Sequence, residues 1–281
     1  MKMFYWIIAV IVSLVVMMLS YMCGATLFGK KGYPLQVVDS LVIVAHRGGA
    51  GAAPENSLAA ICESLETGAD MVEIDVRLTR DGELVVCHDA DISRTTDGNG
   101  AIADMTLEEL REYSLLDSDG NVTDEKLPTL GEVFELVGGR CRLLVDVKRT
   151  KDAERMAKAL INEVALYQVA QWVVVQSFDD AVLEHLHRLG HPFPLEKLFL
   201  FKVPFLPIAC DGKLVGYGYA KYDYISSFNF YYRMLPAALA KDIRSQGKKV
   251  KIWTPDAPSA TPLLPVDGVI TDRPALWKKA E

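Results

Sequence analysis

Residues 41–49 read LVIVAHRGG. Leu41 to Ala45 is an unbroken apolar run, which is typical of a strand buried on both faces in a parallel sheet covered by helices. His46 and Arg47 follow at once, and the two glycines after them allow the backbone to turn sharply. The segment predicts an α/β fold in which polar side chains emerge at the carboxyl end of a buried strand.

Strands and helices alternate along the rest of the chain. Their number, about eight strands in about 250 residues, is typical of a (β/α)₈ TIM barrel, here over residues 41–281. An open doubly wound sheet is the alternative, but no G-x-G-x-x-G motif follows the first strand. The predicted strands are 41–45, 71–78, 83–87, 142–147, 171–176, 197–201, 222–226, 249–253 and 268–271, and the main predicted helices are 54–68, 129–137, 152–167, 179–189 and 236–246.

The composition limits the classes of partner. The 281 residues include 30 Lys and Arg against 37 Asp and Glu, a formal net charge of −7. An acidic chain is a poor candidate for binding nucleic acid, which requires a basic surface. The five cysteines show no C-x-x-C spacing, so a disulfide framework and a zinc knuckle are both disfavoured. We expect a small-molecule or lipid substrate and no nucleic acid; the oligomeric state stays open.

The N-terminus carries a long apolar segment. Phe4 to Cys23 is a run of 20 residues without a charge. In a helix it would span about 30 Å, the thickness of the hydrocarbon core of a bilayer. We therefore expect residues 1–28 to form one transmembrane anchor and residues 29–40 a linker, with the catalytic domain on the extracytoplasmic side of the membrane. A cleaved signal peptide is the alternative, although this run is longer than the usual apolar core of one.

Carboxylates lie at two of the predicted strand ends. Glu73 and Asp75 alternate with apolar residues in one strand, so both side chains face the same way. Asp146 and Lys148 repeat the pattern in a later strand. Carboxylates gathered in an apolar setting need a compensating cation, and oxygen ligands favour Mg²⁺ or Ca²⁺. The sequence therefore predicts a divalent metal site formed by Glu73, Asp75 and Asp146.

Histidines and further cations accompany the carboxylates. His88 follows Cys87 in a strand, so the two side chains face opposite sides and only one of them can face this site. His46 and His88 can supply the general base and the general acid of a displacement at phosphorus. Arg47 and Lys148 are suited to binding phosphate oxygens. Together these residues predict metal-assisted cleavage of a phosphodiester.

Ordered motifs cover nearly the whole chain after the linker. They are HRG at 46–48, PEN at 54–56, EIDV at 73–76, TRDG at 79–82, HD at 88–89, RTT at 94–96, LPTL at 127–130, QSF at 176–178, WT at 253–254 and GVITDRP at 268–274. In this order and spacing they resemble the glycerophosphodiester phosphodiesterase family.

The resemblance implies a fold and a reaction. The fold is a (β/α)₈ barrel with a small insertion, at about 89–128, after the second barrel strand. The reaction is Mg²⁺- or Ca²⁺-dependent hydrolysis of a glycerophosphodiester to sn-glycerol 3-phosphate and an alcohol, with the 2-hydroxyl of the substrate as a nucleophile that first gives a cyclic phosphate. Glu55, Phe178 and Trp253 are expected in the substrate pocket.

The sequence departs from the family at specific places. Asp146 stands where the family usually has Glu, and Asp256 replaces an Asn after the Trp-Thr pair. The segment 202–234, rich in Tyr and Phe, has no clear counterpart; its aromatic residues either bind an acyl chain or pack in the core. Two alternative functions stay open: a lysophospholipase D acting on membrane lysophospholipids, and a catalytically silent barrel that binds phosphate ligands.

Overall fold

The computed structural model describes residues 41–49, 53–258 and 264–277. Within these ranges eight parallel strands form a barrel, with an antiparallel strand beside the second of them and a separate three-stranded sheet. In chain order the strands are β1 (Val42–Ala45), β2 (Met71–Leu78), β3 (Leu84–Val86), β4 (Arg142–Val147), β5 (Val173–Ser177), β6 (Leu195–Phe199), β7 (Phe201–Lys202), β8 (Ile208–Cys210), β9 (Leu214–Gly216), β10 (Ile225–Tyr231), β11 (Lys249–Trp253) and β12 (Gly268–Thr271).

The barrel closes on its first strand. The order is β1-β12-β11-β10-β6-β5-β4-β2, and β1 pairs in parallel with both β12 and β2. A doubly wound sheet would leave two open edges, so that alternative is wrong and the predicted TIM barrel is confirmed. All eight carboxyl ends lie at one end of the barrel, which we call the mouth.

Helices cover the outside of the barrel, and their ends follow ordinary capping chemistry. Thr129 and Glu132 form a capping box at the start of one helix, and Gly138 ends it in the left-handed conformation. Buried residues of these helices pack on the outward faces of the strands in one continuous core. The helices are α1 (Leu58–Glu66), α2 (Leu107–Arg111), α3 (Leu130–Val137), α4 (Ala153–Tyr167), α5 (Asp180–Leu189) and α6 (Ala237–Ser245).

The stretch at about 89–128 lies beside the barrel and has its own small core. β3 pairs antiparallel with β2 across the predicted hairpin, and the chain then leaves the sheet. The buried apolar side chains of this stretch form a separate cluster that includes Cys87. Cys87 therefore faces the insertion, as the alternation predicts, and His88 faces the other way. The members of the cluster are Val85, Cys87, Ile92, Ile102, Leu110, Leu115 and Leu127.

The segment after β6 differs most from the sequence-based prediction. It forms the sheet β7–β8–β9, and β10 then begins at Ile225 rather than Tyr222. Tyr222 instead lies in a turn, where its hydroxyl donates to Asp180. Tyr217, Tyr222, Phe228 and Phe230 are buried around Phe199, so these aromatic residues pack in the core and do not form an acyl-binding wall.

A polar network crosses the barrel interior. Glu196 on β6 pairs with Lys251 on β11, and both are almost fully buried. The amide of Asn229 donates to Glu196 at 2.8 Å and to Gln176 at 2.8 Å. Gly268 makes room for the lysine, since a Cβ at position 268 would lie 3.1 Å from Lys251 Cγ.

The expected transmembrane anchor and linker, residues 1–40, lie outside the described residues. Of the helices that the structure describes, none combines the length and the apolar character needed to cross a bilayer.

Candidate active site

Three carboxylates meet inside the barrel at its mouth. Asp75 and Asp146 are direct neighbours in the pairing of β2 with β4, and Glu73 lies two residues earlier on β2 and faces the same way. One oxygen from each residue lies within 4.8 Å of the others. All three side chains are at most 6% exposed. The strand pairing therefore gathers the three residues predicted as metal ligands, and the shorter Asp146 still reaches the cluster.

Lys148 neutralises part of this negative charge. Its Nζ lies 2.6 Å from Asp75 Oδ1 and 2.6 Å from Asp146 Oδ2. Burial alone would raise the pKa of Asp75, but Lys148, His88 and Arg47 outweigh it and hold that pKa well below its usual range.

The negative charges of Glu73 and Asp146 are not fully compensated by neighbouring cations. Burial, together with repulsion from Asp75, raises the pKa of Glu73 to about 8. Burial also raises the pKa of Asp146, against the pull of Lys148. One lysine thus does not allow three buried carboxylates to ionise together near neutral pH.

The donor set fits a hard divalent cation. All three candidate ligands offer carboxylate oxygens, which suit Mg²⁺ or Ca²⁺ and not a soft metal. Asp146 Oδ1 is buried and has no hydrogen-bond partner among the described residues. A buried carboxylate oxygen without a partner is costly, and a cation bound between the three groups would satisfy it.

A strained turn at the end of β1 positions His46 and Arg47. Arg47, Gly48 and Gly49 have φ values of +51°, +80° and +92°, so the chain reverses within three residues. The turn directs the backbone N–H of Arg47 to Glu73 Oε2, at 2.8 Å. A main-chain hydrogen bond therefore connects the turn after β1 to the carboxylate cluster.

His46 lies between two acidic groups. Its Nδ1 is 2.6 Å from Asp272 Oδ1, and its Nε2 is 4.0 Å from Glu73 Oε2. Burial would lower the pKa of His46, but the hydrogen bond to Asp272 and the charge of Glu73 raise it overall. Asp272 immediately follows β12, so the last strand of the barrel orients a side chain from the first.

His88 lies in the opposite electrostatic setting. Burial and then the charge of Lys148 lower its pKa, against the attraction of Asp75. Its Nδ1 is 2.6 Å from Asp89 Oδ1, and Arg77 fixes its backbone carbonyl with two donors at 3.0 and 2.6 Å. The two histidines, both predicted as proton-transfer groups, therefore have pKa values displaced in opposite directions.

Arg47 is held at the rim by Glu55. Its Nη1 donates to both oxygens of Glu55, at 3.0 and 3.1 Å, and its Nε lies 3.6 Å from Asp75 Oδ2. Glu55 also accepts from both terminal nitrogens of Arg94, at 2.9 and 2.7 Å. Glu55 was expected in the substrate pocket, and the structure places it between two arginines.

The other two expected pocket residues meet each other. The rings of Phe178 and Trp253, at the ends of β5 and β11, are 5.7 Å apart and perpendicular. Tyr231, the last residue of β10, lies 5.3 Å from the same indole. Three neighbouring aromatic rings therefore stand at one side of the mouth.

Several residues at the mouth have no role that the sequence predicts. Asp272 orients His46, Asp89 contacts His88, and Arg94 shares Glu55 with Arg47. Asn56 exchanges hydrogen bonds with Asp75, donating to its carboxylate at 2.8 Å and accepting from its backbone N–H at 3.1 Å. Asp272 could have been found from the sequence, because it directly follows a predicted barrel strand. His46 was identified by the same criterion, a polar residue at the carboxyl end of a buried strand.

A second cluster of histidines in the sequence is not a site. His185 contacts Arg188 one turn along α5, and the ring of His187 stacks on Tyr224 at 4.3 Å. The one group of metal-binding side chains close enough to share an ion in the described part of the chain is Glu73, Asp75 and Asp146.

Comparison with known proteins agrees with this geometry. The sequence profile of the glycerophosphoryl diester phosphodiesterase family matches residues 46–276. A glycerophosphodiester phosphodiesterase of Caldanaerobacter subterraneus is 31% identical over 240 residues, which cover 83% of this chain and 94% of that protein. Human glycerophosphodiester phosphodiesterase 1 is 38% identical over 135 residues, 46% of this chain and 41% of that protein.

A solved structure shows the same architecture. An Oleispira antarctica phosphodiesterase in complex with the product sn-glycerol-3-phosphate superposes with a TM-score of 0.72 and 25% identity, over 83% of this chain and 93% of that one. The family profile spans both histidines, the three carboxylates and Asp272. The chain belongs to the glycerophosphoryl diester phosphodiesterase family.

Proposed function

We propose that this protein hydrolyses glycerophosphodiesters to sn-glycerol 3-phosphate and an alcohol. The observation that carries the proposal is the convergence of three buried carboxylates within 4.8 Å of one another at the mouth that also holds His46 and His88. The bound product named for the Oleispira antarctica relative supports the same substrate class. A catalytically silent barrel is disfavoured, because every predicted catalytic group is present at one end of the barrel.

Glu73, Asp75 and Asp146 would hold the divalent cation, Mg²⁺ or Ca²⁺. When bound, such an ion neutralises charge that develops on the phosphoryl oxygens. Arg47 offers a planar fork and Lys148 a compact charge, so both can bind the remaining phosphate oxygens. Both cations already lie against Asp75, which keeps them at the position where an anionic group would enter.

The two histidines complete the proton transfers. One neutral imidazole accepts the proton of the attacking 2-hydroxyl of the glycerol moiety as that oxygen bonds to phosphorus. The bond from phosphorus to the leaving oxygen breaks, and the other histidine, as an imidazolium, donates a proton to that oxygen. Water then opens the cyclic phosphate to give the monoester.

The pKa shifts favour distinct assignments for the two groups. Burial and then the charge of Lys148 favour the neutral form of His88, whereas the hydrogen bond to Asp272 and the charge of Glu73 favour the charged form of His46 against the effect of burial. We infer that His88 is the base of the first step and His46 the acid.

Substitution of each histidine tests these roles. His46→Ala and His88→Ala should each reduce kcat by about 10²–10⁴-fold, the usual contribution of a proton-transfer group. His185→Ala is the matched control, since that histidine lies on helix α5 against Arg188 and not at the mouth, and its loss should change nothing. A loss below tenfold in either active-site variant removes that residue from the role.

The leaving group separates the two candidate activities. The apolar segment at residues 4–23 favours a lysophospholipase D, because a protein anchored to a membrane meets lipids. A panel of glycerophosphocholine, related water-soluble diesters and lysophospholipids, assayed with and without EDTA, decides between them. Hydrolysis of lysophospholipids alone would overturn the glycerophosphodiester assignment, and full turnover after exhaustive chelation would overturn the metal site.

The membrane anchor and the extracytoplasmic location remain part of the proposal. Each predicted catalytic residue lies beyond residue 40. A chain starting near Leu35 should therefore cleave a water-soluble glycerophosphodiester as well as the full chain does, and lose activity only on substrates in a bilayer. Loss of the soluble activity with the barrel still folded by circular dichroism would show that the segment is more than a tether.

A further inference from the structure

The small sheet β7–β9 carries an exposed apolar turn. Val203-Pro204-Phe205-Leu206-Pro207, which we call the apolar turn, connects β7 to β8. Phe205 is 103% exposed and Leu206 48% exposed, and Phe205 is the most exposed large apolar side chain in the described part of the chain. The fold therefore presents a phenylalanine that it does not use for its own core.

The turn is held in one conformation. Phe205 has a φ of +62°, which a bulky residue rarely adopts, and it lies between two prolines. The backbone N–H of Val203 donates to Ile208 at 2.8 Å and closes the turn. Lys202 Nζ donates to the carbonyl of Leu206 at 3.1 Å. A rigid apolar tip loses little conformational freedom when it enters another environment.

The opposite end of the same sheet is fastened to the barrel mouth. Asp211, in the turn between β8 and β9, lies 2.8 Å from Lys197 Nζ and 3.5 Å from Arg149 Nη2. Lys197 also donates to the carbonyl of Phe178, at 2.7 Å. These contacts reach the carboxyl ends of β4 and β5 and the middle of β6, so the sheet stands at the end of the barrel that holds the active site.

The apolar turn has a lysine at its base and no acidic side chain within it. Residues 200–216, which include the small sheet and its two turns, contain two lysines and a single acid, Asp211. The side chain of Asp211 is 0% exposed, so it contributes nothing to the outer surface. Lys202 lies at the base of the apolar turn, whereas Lys213 lies in the turn at the opposite end of the sheet. An apolar tip with a lysine at its base matches the interface of an anionic bilayer, where acyl chains lie beneath negative headgroups.

We propose that the apolar turn inserts Phe205 and Leu206 into the headgroup boundary of a lipid bilayer, with Lys202 against anionic headgroups. Because the sheet stands on the mouth, insertion directs the active site toward the membrane. The consequence for substrate choice, access to diesters embedded in the bilayer, rests on the proposed function; the insertion itself does not.

Fluorescence quenching tests the insertion without any assay of activity. The full chain carrying Phe205→Trp is reconstituted in vesicles of phosphatidylcholine and phosphatidylglycerol, with and without bromine on the acyl chains. The fluorescence of the introduced tryptophan should be quenched by the brominated acyl chains, which adds a quenched component to the emission that the unaltered protein lacks. Leu166→Trp is the matched control, because Leu166 is 72% exposed near the end of α4 that leads to the opposite end of the barrel; its added emission should not be quenched.

Two results would overturn the proposal. One is equal quenching, or none, at positions 205 and 166. The other is a blue shift of the Phe205→Trp emission that grows with protein concentration in the absence of vesicles, which would identify a second copy of the chain as the occupant.

Kinetics provide a second, separate readout. Phe205→Ser combined with Leu206→Ser should reduce turnover of a lysophospholipid in vesicles by roughly tenfold, since two apolar side chains no longer leave water. Turnover of water-soluble glycerophosphocholine should stay unchanged, and Leu166→Ser should affect neither substrate. An equal loss on both substrates would contradict the proposal. If the unaltered protein cleaves neither substrate, the proposed function fails, while the quenching result still decides the insertion.

Discussion

Asp272 follows His46 by 226 residues in the chain, yet its Oδ1 lies 2.6 Å from His46 Nδ1. Closure of the barrel between β12 and β1 creates this contact, because those two strands are neighbours in the sheet. The hydrogen bond fixes the ring so that Nε2 faces Glu73 and the carboxylate cluster. We therefore propose that Asp272 is a positioning residue for His46, which the proposed function makes a proton-transfer group.

We expect Asp272→Asn to reduce kcat by about 10²-fold, the lower end of the contribution of a proton-transfer group. Loss of the carboxylate also removes a charge that raises the pKa of His46, so that pKa falls. The limb of the pH–rate profile that reports His46 should then move to lower pH. Asp272→Glu should restore part of the rate, and an unchanged profile in Asp272→Asn would contradict the role.

Metal binding should release protons at neutral pH. The pKa of Glu73 is raised to about 8 in the ion-free protein, so a cation must displace a proton from this carboxyl below that pH. Affinity for Mg²⁺ or Ca²⁺ should therefore rise with pH and become constant above about pH 8. Calorimetry in two buffers with different ionisation enthalpies measures the released protons.

Glu73→Gln is the matched variant for this measurement. It keeps the size of the side chain and removes the titrating group, so binding should weaken and the dependence of affinity on pH should largely disappear. An affinity that does not change with pH in the unaltered protein would show that Glu73 does not compete with protons for the ion.

Arg47→Lys should not be a conservative change. The guanidinium makes two hydrogen bonds to Glu55 through Nη1 and places Nε 3.6 Å from Asp75, and an ammonium cannot reproduce that fork. We expect kcat/KM for glycerophosphocholine to fall by roughly tenfold or more. Arg94→Lys is the control, because Arg94 shares Glu55 but is 49% exposed and does not touch Asp75 in the structure. Equal effects of the two substitutions would argue against direct phosphate binding by Arg47.

Asp211→Asn should destabilise the protein. The change leaves Lys197, whose side chain is 0% exposed, with Asp180 as its remaining carboxylate partner. Removing one partner of a buried ion pair costs about 3–5 kcal/mol when the other charge is left uncompensated. Because Asp180 still pairs with Lys197, we expect the free energy of unfolding to fall by less, about 1–3 kcal/mol. Denaturant unfolding measures the change. Glu154→Gln, which breaks an exposed pair with Lys158 on α4, serves as the control and should have no measurable effect.

Strands with a simple apolar pattern were predictable from the sequence to the residue. Met71–Leu78, Arg142–Val147, Lys249–Trp253 and Gly268–Thr271 have the predicted bounds. Each is a run of mostly apolar residues bounded by turn residues, so local pattern and tertiary burial agree.

The predicted bounds of β6 and β10 are wrong, and both strands contain buried polar residues. β6 was expected at 197–201 and lies at Leu195–Phe199, because Glu196 and Lys197 are charged yet both lie inside the fold. The charge of Glu196 is matched by Lys251 and that of Lys197 by Asp211, and neither partner is near in sequence. β10 was expected to end at Ser226, but Ser227 and Asn229 continue it inside the barrel through hydrogen bonds to each other and to Gln176. Partners distant in sequence are invisible to a local pattern.

The candidate site is likewise predictable where its residues follow a local pattern, and not where they depend on distant partners. Alternation along β2 predicted that Glu73 and Asp75 face one way, and the ends of two other strands supplied His46 and Asp146; the structure brings all four to the mouth. Ion pairs between different loops, such as Glu55 with Arg94, depend on how the insertion packs against the barrel. The spacing of residues within either loop therefore cannot predict such an ion pair.

Glu196, Lys251 and Gly268 constrain which substitutions each of the other two positions can accept. A chain that exchanges Glu196 alone leaves a lysine charge buried in the barrel, and one that exchanges Lys251 alone leaves a carboxylate there. Any side chain at position 268 would press on the methylenes of Lys251 and on the carbonyl of Val42, each 3.1 Å from its first carbon. Sequence drift at these three positions must therefore proceed through coordinated replacements, and a homologue with an apolar residue at one of the charged positions should have altered the other in the same lineage.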